Sequence, residues 1–281
     1  MENNYNHLWK EIIQRRLYTA DRTAIKNTSK EEAEKYAAFT GIWEDGKKRA
    51  AQIHVEPDDT VLEIGAGPGT ISFELAKKAA WLTAIEPACG MIEVFYDEAK
   101  KRNITNIEAV QSFWEDYVLK TQYDVVVASL SLLTLDIRQF LQKMNAAARK
   151  RVYIHWFASE STFEKQIREV AAITGKSAAV LIPKIDIIFN ILYGMNIIPE
   201  IRLLKTTHFD RVYYSLEETL QSIKKMCAIE TDSYDTQLIA YINDTYEHKG
   251  SAYVYYDKTQ FAELRWEKSP QCGYISKEIP L

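Results

Sequence analysis

The chain has 281 residues, and its 35 Lys and Arg against 39 Asp and Glu leave a net charge of −4, which favours no polyanionic partner. A hydrophobic content of 47% is ample for a packed core and 26% charged residues suit a solvated surface; the three cysteines, without a C-x-x-C pair, fit a reducing compartment and argue against a disulfide framework or zinc site. The polar start Met1–Asn4 leads into no apolar run, and Pro183, Lys184 and Asp186 interrupt the most apolar stretch, so the expectation is a cytoplasmic protein with no membrane span.

Tyr5, Leu8, Trp9, Ile12, Ile13 and Leu17 recur at helical spacing and give a first helix one apolar face. Ser29, followed three residues on by Glu32, is a capping box that opens a second helix, which Gly41 and Gly46 loosen or divide. The apolar run Val61-Leu62-Glu63-Ile64 then flows into Gly65-Ala66-Gly67-Pro68-Gly69, and an amphipathic segment follows from Ile71 to Ala80. Strand, glycine turn and helix start together form the arrangement in which backbone N–H groups approach a ligand closely. A dinucleotide fingerprint requires a last glycine at position 70, where Thr70 stands. The next apolar run, 81–86, ends on Glu86, 21 residues beyond Gly65. A nucleoside-binding βαβ unit places there the carboxylate that accepts from both ribose hydroxyls.

Further on, 91–102 reads as a helix, 104–110 as a third strand, 123–128 as a fourth, a helix capped by Asp136 runs to about 150, and 151–156 is a fifth strand. Beyond these come helices at 161–173 and 185–195, a sixth strand at 197–206, a helix opened by a Ser215–Glu218 capping box, a helix at 234–248, and one long strand at 252–266. Strands alternating with helices predict an α/β fold with a Rossmann-like, doubly wound sheet, which binds ligands at the carboxyl ends of its strands. The tyrosines at 213, 214, 253, 255 and 256 read mainly as half-buried packing residues.

The G-x-G-x-G turn after Glu63, with Glu86 closing the next strand, resembles motif I of the class I S-adenosylmethionine-dependent methyltransferases. The resemblance implies about seven strands, mostly parallel with the last antiparallel. It implies three parts of one structural unit: an N-terminal helical cover at 1–55, a cofactor-binding core at 56–160, and the remaining strands with a helical cap insertion at 161–281. It also implies S-adenosylmethionine as the donor, S-adenosylhomocysteine as the product, and donor contacts from Glu63, Gly65, Ala66, Gly67, Gly69, Glu86, Pro87, Met91, Phe113, Trp114, Glu115, Ser129 and Leu130. Taken alone, Met91 reads as core. In the family an acidic residue after the third strand receives the adenine amino group; Phe113 stands in its place here. Phe113 or Trp114 then stacks on the ring, unless Trp114 is core and Glu115 and Asp116 are solvated. The first helix is either a plain cover for the sheet or a lid with Tyr5 and Trp9 at the pocket mouth.

The acceptor side is described chiefly by absences. After the fourth strand, Ser129-Leu130-Ser131-Leu132-Leu133 carries neither the D/N-P-P-Y segment of base-amine methyltransferases nor a Pro-Cys pair for attack on a pyrimidine. The paired glutamates of arginine methyltransferases and the acidic cluster that holds magnesium in catechol methyltransferases are missing too, so no metal is expected. The expectation is a small-molecule acceptor, no nucleic-acid or membrane partner, and a monomer or homodimer. His155, at the end of the fifth strand, is the candidate base or acceptor-orienting group, with Tyr153 and Trp156 as pocket walls and His208 as a weaker alternative. An RNA or protein acceptor, or a catalytically inert donor-binding sensor or assembly protein, are the competing readings. Nicotinamide redox chemistry is disfavoured by Thr70.

Overall fold

The computed structural model describes residues 2–15, 21–175 and 182–268; Leu17 lies outside them. Four helices, α1 (Glu2–Arg15), α2 (Arg22–Lys26), α3 (Lys30–Ala37) and α4 (Gly41–Ala51), precede the alternating region. That region runs β1 (Thr60–Ile64), α5 (Ser72–Ala76), β2 (Trp81–Glu86), α6 (Cys89–Lys101), β3 (Ile107–Gln111), β4 (Tyr123–Ser129), α7 (Ile137–Ala147) and β5 (Ala148–Phe157). Helices α8 (Thr162–Thr174) and α9 (Ile185–Gly194) lead to β6 (Glu200–Leu203). A separate small unit follows, with β7 (Arg211–Tyr213), α10 (Leu216–Met226), α11 (Asp235–Thr245), β8 (Glu247–Lys249) and β9 (Ala252–Tyr255), before β10 (Phe261–Glu267) returns to the main sheet.

The main sheet has the order β3-β2-β1-β4-β5-β10-β6. Strands β1 to β5 are parallel neighbours, and β10 runs antiparallel between β5 and β6. This is the expected seven-stranded Rossmann-like sheet. Its strands are apolar on both faces because each face carries helices. Leu62, Ile64, Val126, Ala128, Ile154 and Leu264 face the core that holds Trp9 of α1, Phe140 and Met144 of α7, and Ile188 and Ile191 of α9. Val61, Val125, Val127 and Tyr153 face the opposite core, with Ala50 of α4, Phe73 and Leu75 of α5, and Phe95 of α6. Side chains alternate along a strand, so Glu63, Ser129, His155 and Glu263 all fall on the α4 side, near the carboxyl ends of the parallel strands. Among the described residues no helix is long and apolar enough to cross a membrane.

Several local expectations need correction. The second predicted helix is two: α3, with the Ser29–Glu32 capping box formed, and α4, which starts at Gly41. Gly46 sits inside α4 and brings it hard against the glycine turn, since a Cβ there would lie 2.3 Å from the Thr70 carbonyl oxygen. At α10 only half of the capping box forms; Ser215 accepts from Glu218 N–H, but the Glu218 carboxylate accepts from Tyr214 N–H instead. The long last strand is interrupted because Asp257 accepts N–H bonds from Thr259 and Phe209, turning the chain between β9 and β10. The insertion is therefore not purely helical. Strands β7, β9 and β8 form an antiparallel sheet, and Leu220, Ile223, Leu238, Ile242 and Tyr246 give the unit a core of its own.

Candidate functional site

The glycine turn makes space rather than offering donors. Gly65, Gly67 and Gly69 have φ of 72°, 56° and 96°, which side-chain-bearing residues rarely adopt. Gly65 passes so close to Ser131 that a Cβ would lie 2.4 Å from the serine Cβ, whereas a Cβ on Gly67 would meet nothing within 4 Å. The N–H groups of Gly65 and Ala66 both donate to the Ile85 carbonyl, Gly67 N–H donates to Glu86, and Gly69 N–H closes the turn on Ala66. The expectation of N–H groups aimed at a ligand is thus corrected: they bind the turn to the end of β2. What remains is a cleft of about 390 Å³ over Gly67.

Glu86 stands in the wall of this cleft, 8% exposed. Its Oε2 accepts from Gly67 N–H at 2.8 Å and its Oε1 from Ala88 N–H at 2.9 Å. Burial raises its pKa above the usual carboxylate value, against the lowering effect of the two backbone donors. Each oxygen keeps lone-pair capacity for a further donor. Glu63 and Gly69 lie beneath the cleft rather than on its surface. Glu63 is buried with Ser72 Oγ donating to it at 2.5 Å, and burial pushes its pKa up to about 8. Gly69 packs on Phe73 and Phe95.

A chain of polar side chains crosses the α4 face of the sheet. Buried Arg49 donates from Nε to Asp45 at 2.7 Å and from Nη1 to Ser129 Oγ. Ser129 Oγ lies 3.1 Å from His155 Nδ1, and His155 Nε2 lies 3.2 Å from Glu263. Arg202 also donates to Glu263, at 2.8 Å. With Arg49 occupying a lone pair of the serine oxygen, the serine proton is left for Nδ1, and the remaining imidazole N–H sits on Nε2 facing the carboxylate. Burial holds the His155 pKa below its ordinary value despite Glu263. Burial alone would raise Glu263, but the bonds from His155 and Arg202 outweigh it and keep the carboxyl below the usual range. The resting array is a neutral histidine between a serine hydroxyl and an ionised glutamate. His155 is completely buried and does not line the cleft, whereas Ser129, its hydrogen-bond partner, does.

The structure brings Gly65, Ala66, Gly67, Glu86, Pro87, Met91, Phe113, Trp114, Glu115, Ser129 and Leu130 to one cleft. Leu130 holds φ 58°, a strained position for a branched side chain, where its N–H donates to the His155 carbonyl. Trp114 borders the cleft but is almost completely buried. Its ring is core, its Nε1 donates to Phe140 O, and Lys143 sits 4.5 Å from the ring centroid. Phe113 has one face covered by the Arg22 guanidinium at 3.9 Å. Trp9 is not at the mouth. It is fully buried, donates to Thr134 O and packs 5.9 Å from Trp156, because α1 lies on α7 and α9 across the sheet from α4. Tyr5 packs on that same core, Trp156 donates to Pro183 O within it, and Tyr153 belongs to the opposite core; none of the three lines the cleft. His208 is exposed.

Ile25, Thr28, Tyr36 and Arg49 form the N-terminal wall of the cleft and carried no motif. They come from α2 to α4 and the connecting loops, which replace α1 as the cover. Gly90 makes this possible: its N–H donates to Thr28 O, and a Cβ there would strike the Ser29 carbonyl oxygen at 2.4 Å.

Residues 61–151 match the family described as a methyltransferase domain. The chain is 32% identical over 123 residues to an uncharacterized protein of Haemophilus influenzae, covering 42% of this chain and 46% of that one. It is 30% identical over 80 residues to the ribosomal RNA small subunit methyltransferase A of Malacoplasma penetrans, 28% of this chain and 29% of that protein. The chain thus spans less than half the length of these relatives. Among solved structures, the YcgJ protein of Bacillus subtilis shares the fold, with a TM-score of 0.51 at 12% identity over 79% of this chain and 97% of that one.

Proposed function

We propose that the protein, whose residues 61–151 match a methyltransferase-domain family, transfers a methyl group from S-adenosylmethionine to a small-molecule acceptor. The observation that carries this reading is Glu86. It is a buried carboxylate with each oxygen held by one backbone N–H, in a cleft whose floor is opened by Gly67. Two fixed acceptor oxygens suit the paired hydroxyls of a ribose. The aromatic ring of Phe113 at the cleft suits an adenine, and the remaining Arg49 donors with the Tyr36 hydroxyl suit the carboxylate of an amino-acid tail. When bound, adenosylmethionine supplies a methyl group on a sulfonium, whose carbon–sulfur electron pair stays on sulfur as the methyl leaves.

The protein's own work is then to orient the acceptor, exclude water and take up any proton the acceptor loses. Ser129 and Arg49 are the members of the polar chain that line the cleft, and Ser129 is the one bonded to His155. An acceptor proton taken by its oxygen is matched by movement of the serine proton to His155 Nδ1, and Glu263 stabilises the imidazolium that results. His155 is accordingly a positioning residue. His155→Gln should lower turnover about a hundredfold and remove the acidic-limb ionisation from the pH profile of kcat/KM. A slower variant with an unchanged profile would assign His155 a packing role only.

Glu86→Gln should be nearly as harmful as Glu86→Ala, because either oxygen replaced by an amide NH2 would face a backbone donor. Each change should weaken adenosylhomocysteine binding by about 1–3 kcal/mol in calorimetry. A near-normal Kd for Glu86→Gln would rule out the ribose assignment. Transfer to RNA is the second reading, raised by the similarity to the ribosomal RNA enzyme and opposed by the net charge of −4. Labelled donor incubated with a metabolite extract or with purified RNA separates the two. Label in the metabolite fraction is expected; label confined to RNA overturns the small-molecule reading, and donor binding with no transfer overturns the enzyme.

A further inference from the structure

A second cavity, of about 520 Å³, lies beneath the small α/β unit. Phe157 and Phe261 wall it from the sheet, with ring centroids 4.9 Å apart, and Phe209, Met226 and Tyr255 wall it from the inserted unit. It shares no lining residue with the Glu86 cleft but is linked to it through β5 and α4. Phe157 lies two residues beyond His155, whose strand partner Ser129 lines that cleft. Phe209 rests on the first residue of α4, the helix that carries Arg49; a Cβ at Gly41 would be 2.8 Å from its ring.

Two charged residues line the cavity. Asp257 is already satisfied: Thr259 N–H donates to Oδ1 at 2.9 Å and Phe209 N–H to Oδ2 at 3.1 Å. Arg211 is not. Its Nη1 touches Met226 Sδ at 3.4 Å and its guanidinium lies 5.0 Å from the Tyr255 ring centroid, and among the described residues no carboxylate is within ion-pair reach of it. A guanidinium has five N–H donors and discards none of its charge at neutral pH. Facing a thioether and a ring, it retains most of that capacity for a ligand, and in an apolar cavity the matching ligand group is a carboxylate or a similar single anion.

We infer that the cavity holds the methyl acceptor, a flat apolar molecule with one anionic group, its body between Phe157, Phe261 and Phe209 and its charge on Arg211. This rests on the methyltransferase reading above. The test is calorimetry on the full chain saturated with adenosylhomocysteine, using 1-naphthoate as the probe and 1-naphthamide and 1-naphthylamine as its uncharged counterparts. Saturable binding of the acid alone is expected, weakened about ten- to a hundredfold by Arg211→Met and partly restored by Arg211→Lys. Unchanged adenosylhomocysteine affinity in Arg211→Met shows that the variant is folded. No saturable naphthoate binding, equal binding of the amide or amine, or indifference to Arg211→Met overturns the inference. Arg211-dependent naphthoate binding in a protein that binds neither adenosylmethionine nor adenosylhomocysteine would overturn the methyltransferase reading while leaving an anion-binding cavity in place.

Discussion

Glu63→Gln is expected to stabilise the ligand-free protein, and by more as the pH rises. Glu63 is buried at the end of β1, and burial pushes its pKa up to about 8. Between the ordinary carboxylate value and that figure, the folded chain keeps a proton that the unfolded chain releases. The sign follows directly: a raised folded-state pKa gives stability that is fully present at low pH and lost as pH rises through the window. The loss is about 1.4 kcal/mol per pH unit, near 3 kcal/mol by pH 7 and about 5 kcal/mol above pH 8. Glutamine keeps the shape and a hydrogen bond to Ser72 but has nothing to titrate. Urea unfolding of both proteins at pH 5, 7 and 8.5 should give curves that diverge upward with pH. Parallel curves would mean that Glu63 is ionised in the folded state.

Arg49→Ala should cost about 3–5 kcal/mol of stability, the usual consequence of removing one partner from a buried ion pair. The damage lies less in the lost bonds than in what they leave behind. Asp45, 4% exposed, would lose its buried cation and keep the Thr207 N–H as a donor, and Ser129 would lose the donor that orients its hydroxyl. Arg49→Ala with Asp45→Asn should therefore recover part of the loss in thermal unfolding, although donor affinity should stay low in both proteins. A single-variant cost below about 1 kcal/mol would show the pair to be solvated in solution.

The cleft around the glycine turn was legible in the sequence because its signals are local. The glycine turn, Glu86 and the strands around them lie within residues 60–86, and their spacing is imposed by one βαβ unit. The wall that closes it was not legible. Arg49 meets Ser129 across 80 positions and Glu263 meets His155 across 108, and neither pair has a spacing that secondary structure dictates. An apolar helical stripe does not say which side of a sheet it covers, which left the first helix open between a plain cover and a lid; Trp9 is buried with its indole N–H on Thr134 O. Strands β7 and β8 have three residues each, too short for alternation to register, so the inserted unit read as helices alone. His155 was placed at the right strand end, but strand position does not reveal that Ser129 stands between it and the cleft.

Helix α4 touches Phe209 at one end and the glycine turn and Ser129 toward the other, through Gly41, Gly46 and Arg49. Eight residues of helix separate Gly41 from Arg49, about 12 Å of stiff rod. A ligand that displaced this rod at one end would displace it at the other as well. The occupants of the two cavities are then linked by a single coupling free energy. Whatever factor the donor contributes to acceptor affinity, the acceptor must return to donor affinity.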